Sequence, residues 1–158
     1  MIGNKTPQYC FDAAYRYLSY RPRSEAEMRQ QLHRHGFNNG VVEETITRLK
    51  EEDLVDDLAF ARFWRDNRLS FNPKSKSLIE RELKDKMVAT EIIDELTKDI
   101  DDESNAYKLG YSRLPILAHS DYSEFRRRLS SYLSYRGFSY EVIKHTIALL
   151  WQETSISR

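Results

Sequence analysis

Glycine and proline are both scarce in this chain of 158 residues, which contains only five glycines and four prolines. No two of the glycines stand in a loop that Lys-Ser or Lys-Thr follows, the arrangement that surrounds nucleotide phosphates with backbone N–H groups. The sequence therefore argues against a nucleotide hydrolase built on such a loop. We expect no cofactor.

The chain also has a single cysteine, Cys10, and no apolar run long enough to cross a membrane. One thiol cannot form a disulfide framework within the chain, and it lacks the neighbours that a zinc site needs. The N-terminal residues show no apolar segment typical of a secretory signal. We therefore expect a cytoplasmic protein that holds no metal and does not contact a membrane.

Two acidic clusters, EEDLVDD at 51–57 and DIDDE at 99–103, are the places where an acid/base pair or a cation site could be sought. Both fall at expected helix ends, where capping and solvation explain acidic side chains. Cys10 and the serines have no sequence context that resembles a catalytic nucleophile. We expect no catalytic residue, and a metal-dependent hydrolase or nuclease is the least favoured alternative.

The sequence does contain an internal repeat. Residues 28–49 and 129–150 align without a gap, and each places a Gly-Phe pair between two apolar patterns of helical spacing. A third copy at 79–100 keeps the apolar positions but has Met87-Val88 where the others have Gly-Phe. We interpret Gly36 and Gly137 as left-handed helix ends, each followed by a phenylalanine that anchors the next helix.

Each copy carries three helical patterns, and Ser24 with Glu27 forms the capping-box signature of one of them. Pro115 is expected to stop the first helix of the third copy. The prediction is an all-α fold of three tandem three-helix repeats in an elongated, curved array. The predicted segments are an N-terminal tail at 1–10, repeats at 11–55, 56–102 and 103–153, and a C-terminal tail at 154–158.

The net charge is zero, but the signs are segregated along the chain. Acidic side chains dominate 41–60 and 91–104, and basic side chains dominate the segments around them. A solvated helix face explains any single cation, whereas the collection is suited to phosphates or to an acidic protein groove. The candidate residues for binding a protein partner or DNA are Arg62, Arg65, Arg68, Lys74, Lys76, Arg81, Arg113, Arg126, Arg127, Arg128 and Arg136.

Tyrosine is common, with ten residues. Tyr132, Tyr135 and Tyr140 flank the second Gly-Phe pair and could stack on nucleic-acid bases. Their spacing beside Leu133 and Phe138 favours packing between helices.

Four stretches in order resemble the RecX family of bacterial regulatory proteins: RSEAEMRQQLHRHGF (23–37), LKEEDLVDDLAFAR (49–62), PKSKSLIERELKDK (73–86) and RRRLSSYLSYRGFSYEVI (126–143). The resemblance covers about residues 11–153 and departs from the family pattern at Met87-Val88, where many relatives keep a glycine. It leaves the turn geometry of the second copy open.

The resemblance implies a non-enzymatic regulator of recombination and DNA repair, including the SOS response. Such a regulator binds the RecA recombinase and its filament on single-stranded DNA, and it restrains the ATPase, strand-exchange and coprotease activities. Inhibition is the expected direction, and the regulator is expected to be a monomer. The alternative is a helical protein that binds single- or double-stranded DNA directly, even if weakly, and for which recombinase contact is secondary.

Overall fold

The computed structural model describes residues 6–156, and every regular element in that part of the chain is an α-helix. The helices are α1 (Pro7–Leu18), α2 (Glu25–Arg34), α3 (Asn39–Glu51), α4 (Asp57–Leu69), α5 (Lys76–Asp85), α6 (Thr90–Thr97), α7 (Asp102–Leu117), α8 (Tyr122–Tyr135) and α9 (Tyr140–Ile156). They form three successive triplets. The predicted all-α fold of tandem three-helix repeats is therefore confirmed.

Local capping sets the starts of the first three helices. Ser24 Oγ accepts a hydrogen bond from the Glu27 N–H, and the Glu27 carboxylate accepts from the Ser24 N–H, so the predicted capping box of α2 is confirmed. Asn38 caps α3 in the same way. Helix α1 begins at Pro7, because Thr6 caps it and proline suits the first helical position. The start of α1 thus lies inside segment 1–10, whose first five residues fall outside the described part.

The turn between the second and third helix is the same in all three repeats. Gly36, Met87 and Gly137 adopt left-handed φ values of 86°, 58° and 90°. In each repeat the next residue donates its N–H to the carbonyl five positions earlier, in the pattern of a Schellman motif: Leu32, Leu83 and Leu133 accept, respectively. The second repeat therefore keeps the turn without the glycine.

Matching positions of the repeats form the cores. The pairs Leu32 and Leu133, Phe37 and Phe138, Ile46 and Ile147, and Leu49 and Leu150 are all buried. In the first triplet these side chains pack with Cys10 and Ala14 of α1, and in the third with Ala106 and Leu109 of α7. The aligned apolar pattern thus predicted core positions of both triplets.

Helix α7 continues past Pro115 to Leu117, so the prediction that Pro115 stops this helix is wrong. Proline removes one backbone N–H and crowds the preceding turn, and this cost is smallest near a helix end. Gly110, one turn earlier, gives α9 room, because a Cβ there would collide with Cδ1 of Leu150. Helix α9 itself extends to Ile156, into the segment that the sequence assigned to a C-terminal tail.

Consecutive repeats are connected by a carboxylate at a helix start. Asp57, the first residue of α4, accepts a hydrogen bond of 2.8 Å from the Glu25 N–H at the start of α2. Asp102, the first residue of α7, accepts one of 2.9 Å from the Lys76 N–H at the start of α5. The second and third repeats therefore each provide an aspartate that accepts a backbone N–H at the start of the second helix of the preceding repeat.

The helices form two compact units rather than three. The first unit contains the chain through Trp64 together with Leu83–Leu96, and the second contains Arg65–Glu82 with the chain from Thr97 onward. The helices of the second repeat are thus divided between the units. Across residues 6–156, no helix is both long and apolar enough to cross a membrane.

Candidate interaction surfaces

Two of the predicted binding residues, Arg68 and Lys74, share one carboxylate in the second unit. Glu82 accepts from Arg68 Nε at 2.7 Å and from Lys74 Nζ at 3.1 Å. Burial alone would raise the pKa of Glu82, but the hydrogen bonds and charges of the two cations outweigh it and lower the pKa. Both cations are therefore held by one carboxylate within the fold, and their contact with it is structural.

Arg113 and Arg136 lie against the ring of Tyr132, also in the second unit. Their guanidinium carbons are 4.1 Å and 5.0 Å from the ring centroid. Arg136 also donates through Nη1 to the Asn72 carbonyl at 3.0 Å. Both arginines thus pack on the face of an aromatic ring, and the negative electrostatic potential of that face attracts their positive charge.

The remaining predicted cations divide into three that are half-buried and four that are exposed. Arg65 pairs with Asp66 at 2.9 Å and Arg128 with Glu124 at 3.8 Å. The backbone N–H of Lys76 is the group bound by Asp102. The exposed side chains are those of Arg62, in the first unit, and of Arg81, Arg126 and Arg127, in the second.

Tyr135 and Tyr140 differ from the expectation that they pack between helices. Tyr135 is 86% exposed and Tyr140 is 65% exposed, whereas Tyr132 is half-buried between its two arginines. The prediction holds for Tyr132 and is wrong for the other two. Tyr135 ends α8 and Tyr140 begins α9, so both lie at the edges of the turn rather than on a buried helix face.

A cluster that sequence reasoning missed surrounds Trp64 in the first unit. Arg21 and Lys86 each lie 5.4 Å from the Trp64 ring centroid, and both pair with Glu27, at 2.6 Å and 3.2 Å. Burial raises the pKa of Glu27, but hydrogen bonds from Arg21 and the Ser24 N–H, with the charge of Lys86, lower it overall. The capping-box position of Glu27 was the available signal, but it gave no sign of the distant cations.

The fold and its contacts define an all-α repeat protein with three helical triplets. Family models for the first, second and third three-helix domains of RecX match residues 10–49, 56–96 and 101–147. The chain therefore belongs to the RecX family of regulatory proteins, which confirms the resemblance found in the sequence.

Relatives in curated collections support this assignment over most of the chain. Regulatory protein RecX of Chlorobium limicola is 34% identical over 88% of this chain and 87% of its own length. The protein of the same name from Prosthecochloris aestuarii is 31% identical over 92% of this chain and 96% of its own length.

Two solved structures share the fold. The crystal structure of RecX from Lactobacillus salivarius superposes with a TM-score of 0.73 at 22% identity, covering 95% of this chain and 97% of that chain. A second crystal structure of regulatory protein RecX gives a TM-score of 0.69 at 20% identity, covering 87% of this chain and 70% of that chain.

Proposed function

We propose that this chain binds the RecA recombinase and its filament on single-stranded DNA, and that binding inhibits ATP hydrolysis, strand exchange and coprotease activity. The chain acts as a binding protein and not as an enzyme. Membership of a family of regulatory proteins supports the regulatory part of this proposal. We further propose that the chain acts in the cytoplasm, as a monomer, in recombination, DNA repair and the SOS response.

The observation that carries the contact surface is the pair Arg126 and Arg127 on α8. Both side chains are exposed, and neither has an ion pair or hydrogen bond within residues 6–156. Such cations attract an acidic surface and raise its association rate, whereas Arg68 and Lys74 are both held in ion pairs with Glu82. We therefore place the proposed contact surface on α8 of the third repeat, where two exposed cations are adjacent in sequence.

The test adds purified chain to the cognate recombinase on single-stranded DNA and follows ATP hydrolysis and filament length. We expect both to fall at equimolar chain or below. The variant Arg126→Glu/Arg127→Glu/Arg128→Glu should weaken the effect. Arg16→Glu/Arg34→Glu/Lys84→Glu reverses three exposed cations of the first unit and serves as the charge-matched control. Unchanged hydrolysis and filament length with the unaltered chain would contradict the proposal.

A second candidate function is direct DNA binding, favoured by the exposed rings of Tyr135 and Tyr140 beside the cations of the same repeat. Exposed aromatic rings can stack on bases, and cations release counterions from phosphates. This function predicts that labelled single-stranded DNA binds without recombinase and that its affinity falls steeply with salt. Tyr135→Ser/Tyr140→Ser should then weaken DNA binding while leaving the stability of the chain unchanged.

A further inference from the structure

An open groove of about 450 Å³ lies between helices α8 and α9 in the second unit. Its floor is apolar and consists of Phe138, Ile143 and Ile147, all of them largely buried. Arg126 of α8 and Lys144 of α9 lie on its lining, and both are exposed. The groove therefore combines an apolar floor with cations from two different helices.

The first repeat shows what the same positions do when they are paired. The alignment that places Gly36 on Gly137 also places Glu25 on Arg126, Arg29 on Ser130 and Glu43 on Lys144. In the first repeat, Arg29 joins the helices α2 and α3, because it contacts Glu43 at 2.6 Å and Glu25 at 3.1 Å. The outer edge between these two helices is thus neutralised by side chains of the repeat itself.

We refer to Glu25, Arg29 and Glu43 as the triad of the first repeat. At the matching positions, the third repeat has cations in place of the two glutamates and a short serine in place of the arginine. Arg126 and Lys144 replace the two glutamates, and Ser130 cannot reach across as the long Arg29 does. Glu124, on the same helix as Arg126, pairs with Arg128 instead. Neither Arg126 nor Lys144 has an ion pair within residues 6–156. The third repeat therefore lacks the carboxylates that would complete its own groove.

We propose that this groove binds an acidic peptide segment, which supplies carboxylates to Arg126 and Lys144 and places an apolar side chain on the floor. Carboxylates satisfy both cations, and the apolar side chain gains from removal of water. A phosphodiester satisfies the cations equally well, but the polar edges of a base would find no hydrogen-bond partner on the apolar floor of Phe138, Ile143 and Ile147, so the observations favour a peptide. The inference rests on the proposed function only for the source of the segment.

The test needs no recombinase. A fluorescein-labelled synthetic peptide of Asp and Glu residues around one Phe is titrated with the full chain, and its anisotropy is measured. The matched probes are the same peptide with Asn and Gln in place of the acids, and labelled oligothymidylate. We expect the acidic peptide to bind at least about tenfold more tightly than the neutral one, because two charge pairs are lost with the latter.

Three variants locate the binding. Arg126→Glu/Lys144→Glu should weaken binding of the acidic peptide about tenfold or more. Lys108→Glu, at an exposed position of α7 that does not line the groove, should change the affinity by about twofold or less. Arg126→Glu/Ser130→Arg/Lys144→Glu rebuilds the triad of the first repeat. It should abolish peptide binding while the circular-dichroism melt stays that of a folded chain.

Several results would overturn the inference: no binding at about 1 mM peptide, equal binding of acidic and neutral peptides, or equal binding to the rebuilt-triad variant. Oligothymidylate that binds in an Arg126- and Lys144-dependent way, without the peptide doing so, would identify a nucleic-acid surface instead. A chain that binds the peptide but leaves recombinase ATP hydrolysis unchanged contradicts the proposed function alone, so the two failures are distinguishable.

Discussion

Lys86 Nζ lies 3.2 Å from Glu27 Oε2, although 59 residues separate the two along the chain. The contact joins the end region of α5 to the start of α2 within the first unit, with Trp64 beside both cations of the cluster. A single carboxylate thereby completes the capping box of α2 and forms ion pairs with both Arg21 and Lys86. Stability of the first unit should depend on the ionisation of this group.

Glu27→Gln should lower the free energy of unfolding at pH 7 by about 1–3 kcal/mol, since hydrogen bonds to a charged group are lost. The folded pKa of Glu27 is lowered, so its stabilisation is present above the ordinary glutamate pKa of about 4.3 and disappears as pH falls through the lower folded value. Urea unfolding at pH 7 and at about pH 3 measures this, and the gap between variant and unaltered chain should shrink in acid. Glu44→Gln, at an exposed position of α3, is the control and should show no such gap.

Asp57 and Asp102 should behave in the opposite sense. Burial raises the pKa of both carboxyls, only partly offset by the N–H groups that they accept from, so their charged form is disfavoured by the fold. Stability from these groups is lost as pH rises through the folded pKa. Asp57→Asn keeps an acceptor without the charge and should leave stability equal or higher at pH 7.

Asp57→Ala removes the acceptor and should lower stability by about 1 kcal/mol, the usual cost of losing a side chain that caps a helix start. Thermal unfolding of the two Asp57 variants and of the corresponding Asp102 variants measures the contrast. An alanine variant as stable as the asparagine variant would contradict the role assigned to the hydrogen bond.

The left-handed turn gives a pair of opposite predictions. Met87 holds φ at 58° with a side chain that is 74% exposed, so Met87→Gly relieves strain and loses little packing. The expected gain is at most about 1 kcal/mol, because glycine also adds freedom to the unfolded chain. Gly137→Ala should cost about 2 kcal/mol or more, since its Cβ would lie 2.6 Å from Ser75 Oγ and 2.8 Å from Leu78 Cβ. Chemical denaturation of both variants tests the sign of each change.

Substitutions of Arg68 and Arg81 compare a cation that is paired within the fold with one that faces solvent. Arg68→Ala should destabilise the chain by about 1–3 kcal/mol, because it leaves the half-buried Glu82 with fewer partners. Arg81→Ala, at an exposed position of α5, should stay within about 0.5 kcal/mol. Differential scanning calorimetry supplies the measurement, and equal effects of the two substitutions would argue against the role of Glu82.

Local signals were sufficient for much of the fold. Caps and turns form between residues within about one helical turn of each other, so their sequence spacing predicted them correctly. The examples are Ser24 with Glu27, Asn38 and the two Gly-Phe pairs. Pro115 was misread because its effect depends on its distance from the helix end, which the apolar pattern does not define.

The candidate surface was harder to predict, since a cation's availability depends on partners that are distant in sequence. The sequence around Lys74 does not show that its side chain pairs with Glu82. Likewise, the sequence around Arg136 does not show its contacts with Tyr132 and Asn72. Exposure of Tyr140 likewise follows from its position at the first residue of α9, a boundary that propensity alone does not fix.

The second helices of the three repeats begin with different sets of capping groups. Ser24 Oγ and Ser75 Oγ each accept an N–H of their own helix, and Asp57 and Asp102 of the following repeats each accept a second one. In the third repeat the N-cap is itself an acid, Asp121, which accepts from the Glu124 N–H at 2.8 Å. The second helix of the third repeat thus begins with one aspartate of its own, so the hydrogen bond that caps it forms within a single repeat.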